Sequence, residues 1–248
     1  MHAELGGAKI WFEDSGGSGA PLVLLHAGTG TTKMWLHQLP VFADAGYRVI
    51  AYDRRGHGRS SAGNGFAVDD LVLLLDELRL KKIHLLGTAA GGIVALDFAL
   101  SHPARLHSLV VANSIGGVQD ADYLELQARL RPKPQFDALP AEVRELGPSY
   151  RAANPEGVRQ WVALENAGPL PKVQTRNRIT FSLLETLKEP TLLLTGDADL
   201  YTPPAVLARF KKHIRHAEAR IIASCGHSAY WEQPEVFNRE VLDFLQKH

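Results

Sequence analysis

Ile83-His84-Leu85-Leu86-Gly87-Thr88-Ala89-Ala90-Gly91-Gly92 is an apolar run that breaks into small residues, after which Ile93–Leu100 resumes with the spacing of a helix. A strand that reverses sharply into a helix needs very small residues two places to either side of its apex, because larger side chains would collide across the turn. Gly87 and Gly91 occupy those places, so the apex is Ala89. The rest of the chain is organised outward from this turn.

Leu22–His26, Arg48–Tyr52, Ser108–Ala112, Thr191–Thr195 and Ala219–Ala223 share the near-continuous apolar character of Ile83–Leu86. Strands that read this way, rather than alternating, belong to a parallel sheet covered on both faces. Ala3–Leu5 and Lys9–Glu13, turning at Gly6-Gly7, read as a hairpin ahead of them. Met34–Ala45, Phe66–Leu78, Ala90–Ser101, Pro203–His213 and Pro234–Gln246 have apolar residues recurring at three and four and supply helical crossovers. The fold class is therefore α/β, with a mostly parallel sheet flanked by helices.

The alternation breaks once. Residues 118–188 carry charged, proline-interrupted helical segments (Asp122–Leu130, Pro140–Leu146, Pro155–Glu165, Arg176–Leu187) and no convincing strand. They read as a helical cap inserted into a core made of residues 1–117 and 189–248. An insertion after a strand can hang over the carboxyl ends of the sheet, where open α/β folds place their ligands. Trp161 and Leu164 are the apolar cap side chains expected to line a pocket there.

Composition narrows the function. Lysine plus arginine number 27 and aspartate plus glutamate number 27, so no net field draws in nucleic acid or an anionic membrane surface. The partner expected is a small molecule, and a homodimer is compatible with this reading. The single cysteine, Cys225, excludes an intrachain disulfide, and the absence of an N-terminal secretion pattern makes the cytoplasm the expected location. Gly87–Gly92 lacks the G-x-G-x-x-G register of a dinucleotide site, and neither H-E-x-x-H nor paired cysteines occur, so no cofactor or metal is expected.

Four further stretches fall at the ends of strands. His26-Ala27-Gly28-Thr29-Gly30 is a small-residue loop, and Asp53-Arg54-Arg55-Gly56-His57-Gly58-Arg59-Ser60 is a charged glycine-rich turn whose Asp53, Arg54 and Arg59 tie loops together. Thr195-Gly196-Asp197-Ala198-Asp199 places two carboxylates past a late strand, and Ser224-Cys225-Gly226-His227 places a histidine past the last one. An acid followed by a histidine downstream of the turn is the chain order nucleophile position, acid, histidine.

Together these motifs resemble the α/β-hydrolase superfamily over almost the whole chain. His227-Ser228-Ala229-Tyr230-Trp231-Glu232 with Phe237-Asn238 resembles the histidine segment of the meta-cleavage-product (carbon–carbon bond) hydrolases and of enol-lactone and small-ester hydrolases. The resemblance implies a nucleophile elbow G-x-S-x-G whose serine position is Ala89, an acid at Asp199 in preference to Asp197, and a base at His227. It implies oxyanion donors at the N–H groups of Ala90 and of Gly28, with Ala27 as the second choice in the loop and as a substrate contact, together with Trp231. The activity implied is hydrolysis of a small carbonyl substrate: a carboxylic ester, a lactone or a vinylogous diketone. The chain departs from the pattern in two respects. Alanine at the apex has no attacking atom, and the S-G-P-G-A type of oxyanion loop of many carbon–carbon hydrolases is absent. The departure at Ala89 reads as a serine replaced in an otherwise intact triad. The alternative is a natural non-hydrolytic protein that uses the pocket for binding or for cofactor-free histidine chemistry.

Overall fold

The computed structural model describes residues 1–165 and 171–248. Two antiparallel strands open the chain, β1 (His2–Leu5) and β2 (Ala8–Asp14), joined through Gly6 and Gly7 at φ of +53° and +77°. Both angles lie in the left-handed region that glycine adopts without strain and that a two-residue hairpin turn needs. The next strands, β3 (Pro21–Leu25), β4 (Arg48–Tyr52), β5 (Ile83–Thr88), β6 (Leu106–Ala112), β7 (Thr191–Gly196) and β8 (Glu218–Ile222), pair in parallel. The strand order is β1-β2-β4-β3-β5-β6-β7-β8, so β5, which carries the turn at Ala89, is central.

The helices are α1 (Leu39–Asp44), α2 (Ala67–Glu77), α3 (Ala90–Ser101), α4 (Ala121–Leu130), α5 (Ala141–Glu145), α6 (Pro148–Ala153), α7 (Pro155–Leu164), α8 (Phe181–Leu184), α9 (Pro204–His213), α10 (Ala229–Glu232) and α11 (Pro234–Leu245). The sheet separates two apolar clusters, as the pleat requires. Val23, Leu25, Ile50 and Leu85 pack with α2, α3 and α9, whereas Leu22, Leu24, Val49 and Leu86 pack with α1 and α11.

Two expected helices take another form. Met34–Ala45 is a short 3-10 turn, Thr32–Trp35, followed by α1. Pro40 cannot donate to the carbonyl four residues back and its ring crowds that carbonyl, which stops a helix from running through. Gln38, the last of the three residues between the two pieces, is buried, and its Nε2 donates to Tyr230 O (2.8 Å) and Asn238 Oδ1 (3.0 Å). Arg176–Leu187 is helical only at α8. The N–H groups of Arg176 and Asn177 donate instead to the carboxylate of Asp97 on α3, at 2.8 and 2.9 Å. Helix α6 was not expected; its signal is Pro148 at the first helical position after Gly147. Between β6 and β7 the described residues form five helices, α4 to α8, and no strand. Among the described residues no helix is long and apolar enough to cross a membrane.

Candidate active site

The turn after β5 is forced by its glycines. A Cβ at Gly87 would lie 2.3 Å from Gly91 O, and one at Gly91 would lie 2.2 Å from Leu25 O, both against backbone that cannot yield. Ala89 sits at φ +50°, ψ −115°, a conformation that costs a non-glycine residue on the order of 1–3 kcal/mol. Three hydrogen bonds hold it there: Ala89 N donates to Ala112 O (3.0 Å), while Ala89 O accepts from Gly92 N (3.1 Å) and from the Ser114 hydroxyl (2.6 Å). The next residue, Ala90, opens α3, so its N–H has no acceptor within the helix and sits at the positive end of the helix dipole.

Ala89 and Ala90 form part of the wall of a cavity of about 270 Å³. Ala27, Gly28, Thr29, Ile93 and Ile115 complete its apolar and backbone wall, and Arg131, Arg144, Glu145, Tyr201 and His227 supply its charged and hydrogen-bonding groups. The loop bearing Gly28 is braced from behind. His26 Nδ1 donates to Ala27 O (2.7 Å) because its Nε2 accepts from Arg54 N (3.0 Å), and His57 Nε2 lies 3.1 Å from Gly28 O. Burial, with Arg54 and His57 nearby, holds His26 well below the usual histidine range, which keeps it in this neutral form. The charged turn thus orients the carbonyls of Ala27 and Gly28.

Asp199 and His227 come together across the ends of β7 and β8. The histidine Nδ1 lies 2.9 Å from both carboxylate oxygens of Asp199. Oδ1 also accepts from the N–H groups of Tyr201 (2.7 Å) and Thr202 (3.0 Å), and Oδ2 from the Thr202 hydroxyl (2.5 Å) and Asn113 Nδ2 (3.0 Å). Burial opposes the ionised form of Asp199, but the His227 charge and these hydrogen bonds prevail and hold the carboxyl well below the usual range. Burial likewise opposes a charged His227, and the charges of Asp199 and Glu145 outweigh it and raise the imidazole above its ordinary value. Asp197 does not reach the ring; its Oδ1 accepts from Cys225 N at 3.2 Å. Cys225 is buried away from the cavity, and burial pushes its thiol up, the reverse of a reactive thiolate.

Three expected substrate contacts lie elsewhere. Trp161 has no exposed surface and packs in the core with Leu86 and Val110, because α7 turns its apolar face to the body. Leu164 lines a separate groove beside Thr31 and Lys33. Trp231 is buried, with its indole N–H donated to Gly157 O (3.2 Å), and ties α10 to α7. In their place stand Arg131, Arg144, Glu145 and Tyr201. Tyr201-Thr202 had a readable signal, since a carboxylate commonly caps the N–H groups two and three residues on. Arg131 and Glu145 had none, because only the folding of residues 118–188 brings them to the cavity. Among the described residues no cluster of three or more His, Cys, Asp or Glu is arranged to hold a metal ion.

A family model described as "Alpha/beta hydrolase family" matches residues 22–240. The chain belongs to the α/β-hydrolase family. Among curated relatives it is 29% identical to a 2-hydroxy-6-oxononadienedioate/2-hydroxy-6-oxononatrienedioate hydrolase of Burkholderia vietnamiensis, over 96% of this chain and 91% of the relative. It is 33% identical to the dihydrolipoyllysine-residue acetyltransferase component of the acetoin cleaving system of Pseudomonas putida, over 99% of this chain and 69% of the relative. Among solved structures, a malate-bound thermophilic esterase from Thermogutta terrifontis superposes with a TM-score of 0.83 at 28% identity, covering 97% of this chain and 94% of that one. The α/β-hydrolase fold therefore extends across the whole molecule, and the relatives make a hydrolase scaffold for small substrates the frame for its chemistry.

Proposed function

We propose that this α/β-hydrolase binds a small carbonyl compound (an ester, a lactone or a vinylogous diketone) and that its scaffold hydrolyses such a compound when position 89 carries serine. The observation that carries the reading is the strained apex at Ala89, retained beside an Asp199–His227 pair although alanine makes no use of it. A serine there would attack the carbonyl, His227 would take its proton, Asp199 would hold the ring, and the N–H groups of Gly28 and Ala90 would receive the oxyanion. Residues 118–188 act as the lid over a core of 1–117 and 189–248; support comes from Arg131, Arg144 and Glu145, which reach the cavity from that segment. The two arginines favour a substrate with a carboxylate arm, because each Nε is buried and has no hydrogen-bond partner among the described residues.

The test is Ala89→Ser, assayed on p-nitrophenyl esters, lactones and ring-fission dienones, with His227→Ala in the serine background as control. The serine form should hydrolyse at least one class while the chain as it stands binds it with little turnover, since loss of the nucleophile alone removes about a million-fold in other serine hydrolases. A folded serine form inert on every class would defeat the reading.

A further inference from the structure

The cavity contains a carboxylate that ester cleavage leaves idle. Glu145, the last residue of α5, is 8% exposed and lines the cavity beside Tyr201, whose hydroxyl favours the ionised carboxylate. Its Oε2 is 4.0 Å from His227 Nε2, the ring nitrogen turned away from Asp199. The spacing is fixed by the main chain, because Glu145 O accepts from both His227 N (2.8 Å) and Ser228 N (3.0 Å) and so joins the end of α5 to the histidine loop. Tyr201 covers the imidazole face, with ring centroids 4.3 Å apart. With alanine at position 89, no hydroxyl at the apex competes for Nε2.

We propose that Glu145 and His227 form a general acid–base pair that moves protons on an enolisable carbonyl compound, giving this chain an activity that needs no serine. The carbonyl oxygen lies toward the N–H groups of Gly28 and Ala90. The Glu145 carboxylate takes a proton from the adjacent carbon, and the C–H electron pair becomes the carbon–carbon double bond of the enol. The carbonyl π pair moves onto oxygen, and the His227 imidazolium gives its Nε2 proton to that oxygen. The reverse sequence returns to carbon a proton that Glu145 has exchanged with solvent. Only C–H and O–H bonds have exchanged, and no oxidant or reductant enters.

The environment supports these roles. Burial raises the Glu145 carboxyl above its ordinary value and makes it a stronger base, with Asp199 adding to the rise and His227, Tyr201 and Arg144 opposing it. Asp199 on Nδ1 and Glu145 on the other side favour the imidazolium that the acid step needs, against burial and Arg131. The inference rests on the cavity being a carbonyl site and is independent of whether serine restores hydrolysis.

The experiment follows loss of the α-proton signals of pyruvate, acetone and 4-oxopentanoate by proton NMR in heavy water, with the unaltered chain. Binding is followed in the same samples by saturation transfer. The expected result is exchange above the buffer rate for at least one probe, reduced tenfold or more by Glu145→Gln and by His227→Asn, and partly kept by Glu145→Asp. Surface lysines that exchange ketone protons through imines are unchanged in these variants, so their contribution cancels. Glu145→Gln preserves the main-chain carbonyl that holds the histidine loop, and circular dichroism checks its fold. Binding without exchange, exchange untouched by Glu145→Gln, or no binding of any probe would each overturn the proposal. An inert Ala89→Ser form alongside Glu145-dependent exchange would sink the hydrolase reading and leave this one standing.

Discussion

The difference between Asp197 and Asp199 shows what a residue contributes beyond its charge. Both carboxylates follow β7, but only Asp199 collects the N–H groups of Tyr201 and Thr202, the Asn113 amide and the histidine ring. In the Ala89→Ser background, Asp199→Asn should lower kcat by about 10⁴-fold through the wrong histidine tautomer, while Asp197→Asn should lower it less than tenfold; steady-state kinetics on one ester decides. Glu232 gives a second residue-scale prediction. It accepts from the N–H groups of Gly147 (2.8 Å), Gly226 (2.9 Å) and Ser228 (3.2 Å), yet burial pushes its carboxyl up to about 7. Between the ordinary carboxylate range and that value the folded chain holds a proton that the unfolded chain has released. Stability is therefore lost as pH rises through this window, by up to about 1.4 kcal/mol per unit. Urea unfolding from pH 5 to 8 should show this fall as the difference between the unaltered chain and Glu232→Gln, because the lowered histidines, such as His26 and His84, gain stability over the same range in both. His227, also raised, adds loss of the same sign in both proteins, so the difference between the two curves isolates Glu232. The acid and the histidine were legible in the sequence because each follows a strand at a fixed offset. The places of Glu145 and Arg131 at the cavity were not, because neighbours far away in sequence bring them there.

At the scale of elements, apolar periodicity identifies helices but does not say what their apolar face meets. Trp161 and Leu164 read equally well as pocket walls or as core, and α7 turns Trp161 into the core cluster that holds Leu86 and Val110. Trp161→Ala should accordingly lower stability by about 3–5 kcal/mol in urea unfolding, and ligand affinity measured well below the unfolding midpoint should stay within about twofold. A large loss of affinity without a loss of stability would restore the pocket reading. The Met34–Ala45 stretch teaches the same lesson from the backbone side. Its spacing suits one helix, but Pro40 and the buried amide of Gln38 divide it, and the amide's partners, Tyr230 and Asn238, are about two hundred residues away. Strand positions were more legible: Arg48–Tyr52 falls where the apolar run does, and the other parallel strands shift at their ends by a few residues. A strand buried on both faces leaves little freedom in where apolar residues can stop.

At the scale of the whole molecule, the order of strands, the elbow on the central strand and the acid and histidine on later loops make one scaffold, and the family match over residues 22–240 extends across it. That much was legible because parallel strands and tight glycine turns leave local signatures. What residues 118–188 do at the cavity was not legible, because their helices are short and proline-broken and their orientation depends on contacts with the histidine loop, such as Glu145 O to His227 N. The central claim is that this scaffold lacks one oxygen for acyl transfer. The most direct measurement is pre-steady-state release of p-nitrophenolate by Ala89→Ser under excess ester. The account predicts a burst close to one equivalent per chain, or rapid turnover, that disappears when His227 is also replaced by alanine. A folded Ala89→Ser protein that releases no product above the unaltered chain, or one whose release survives the loss of His227, would contradict it.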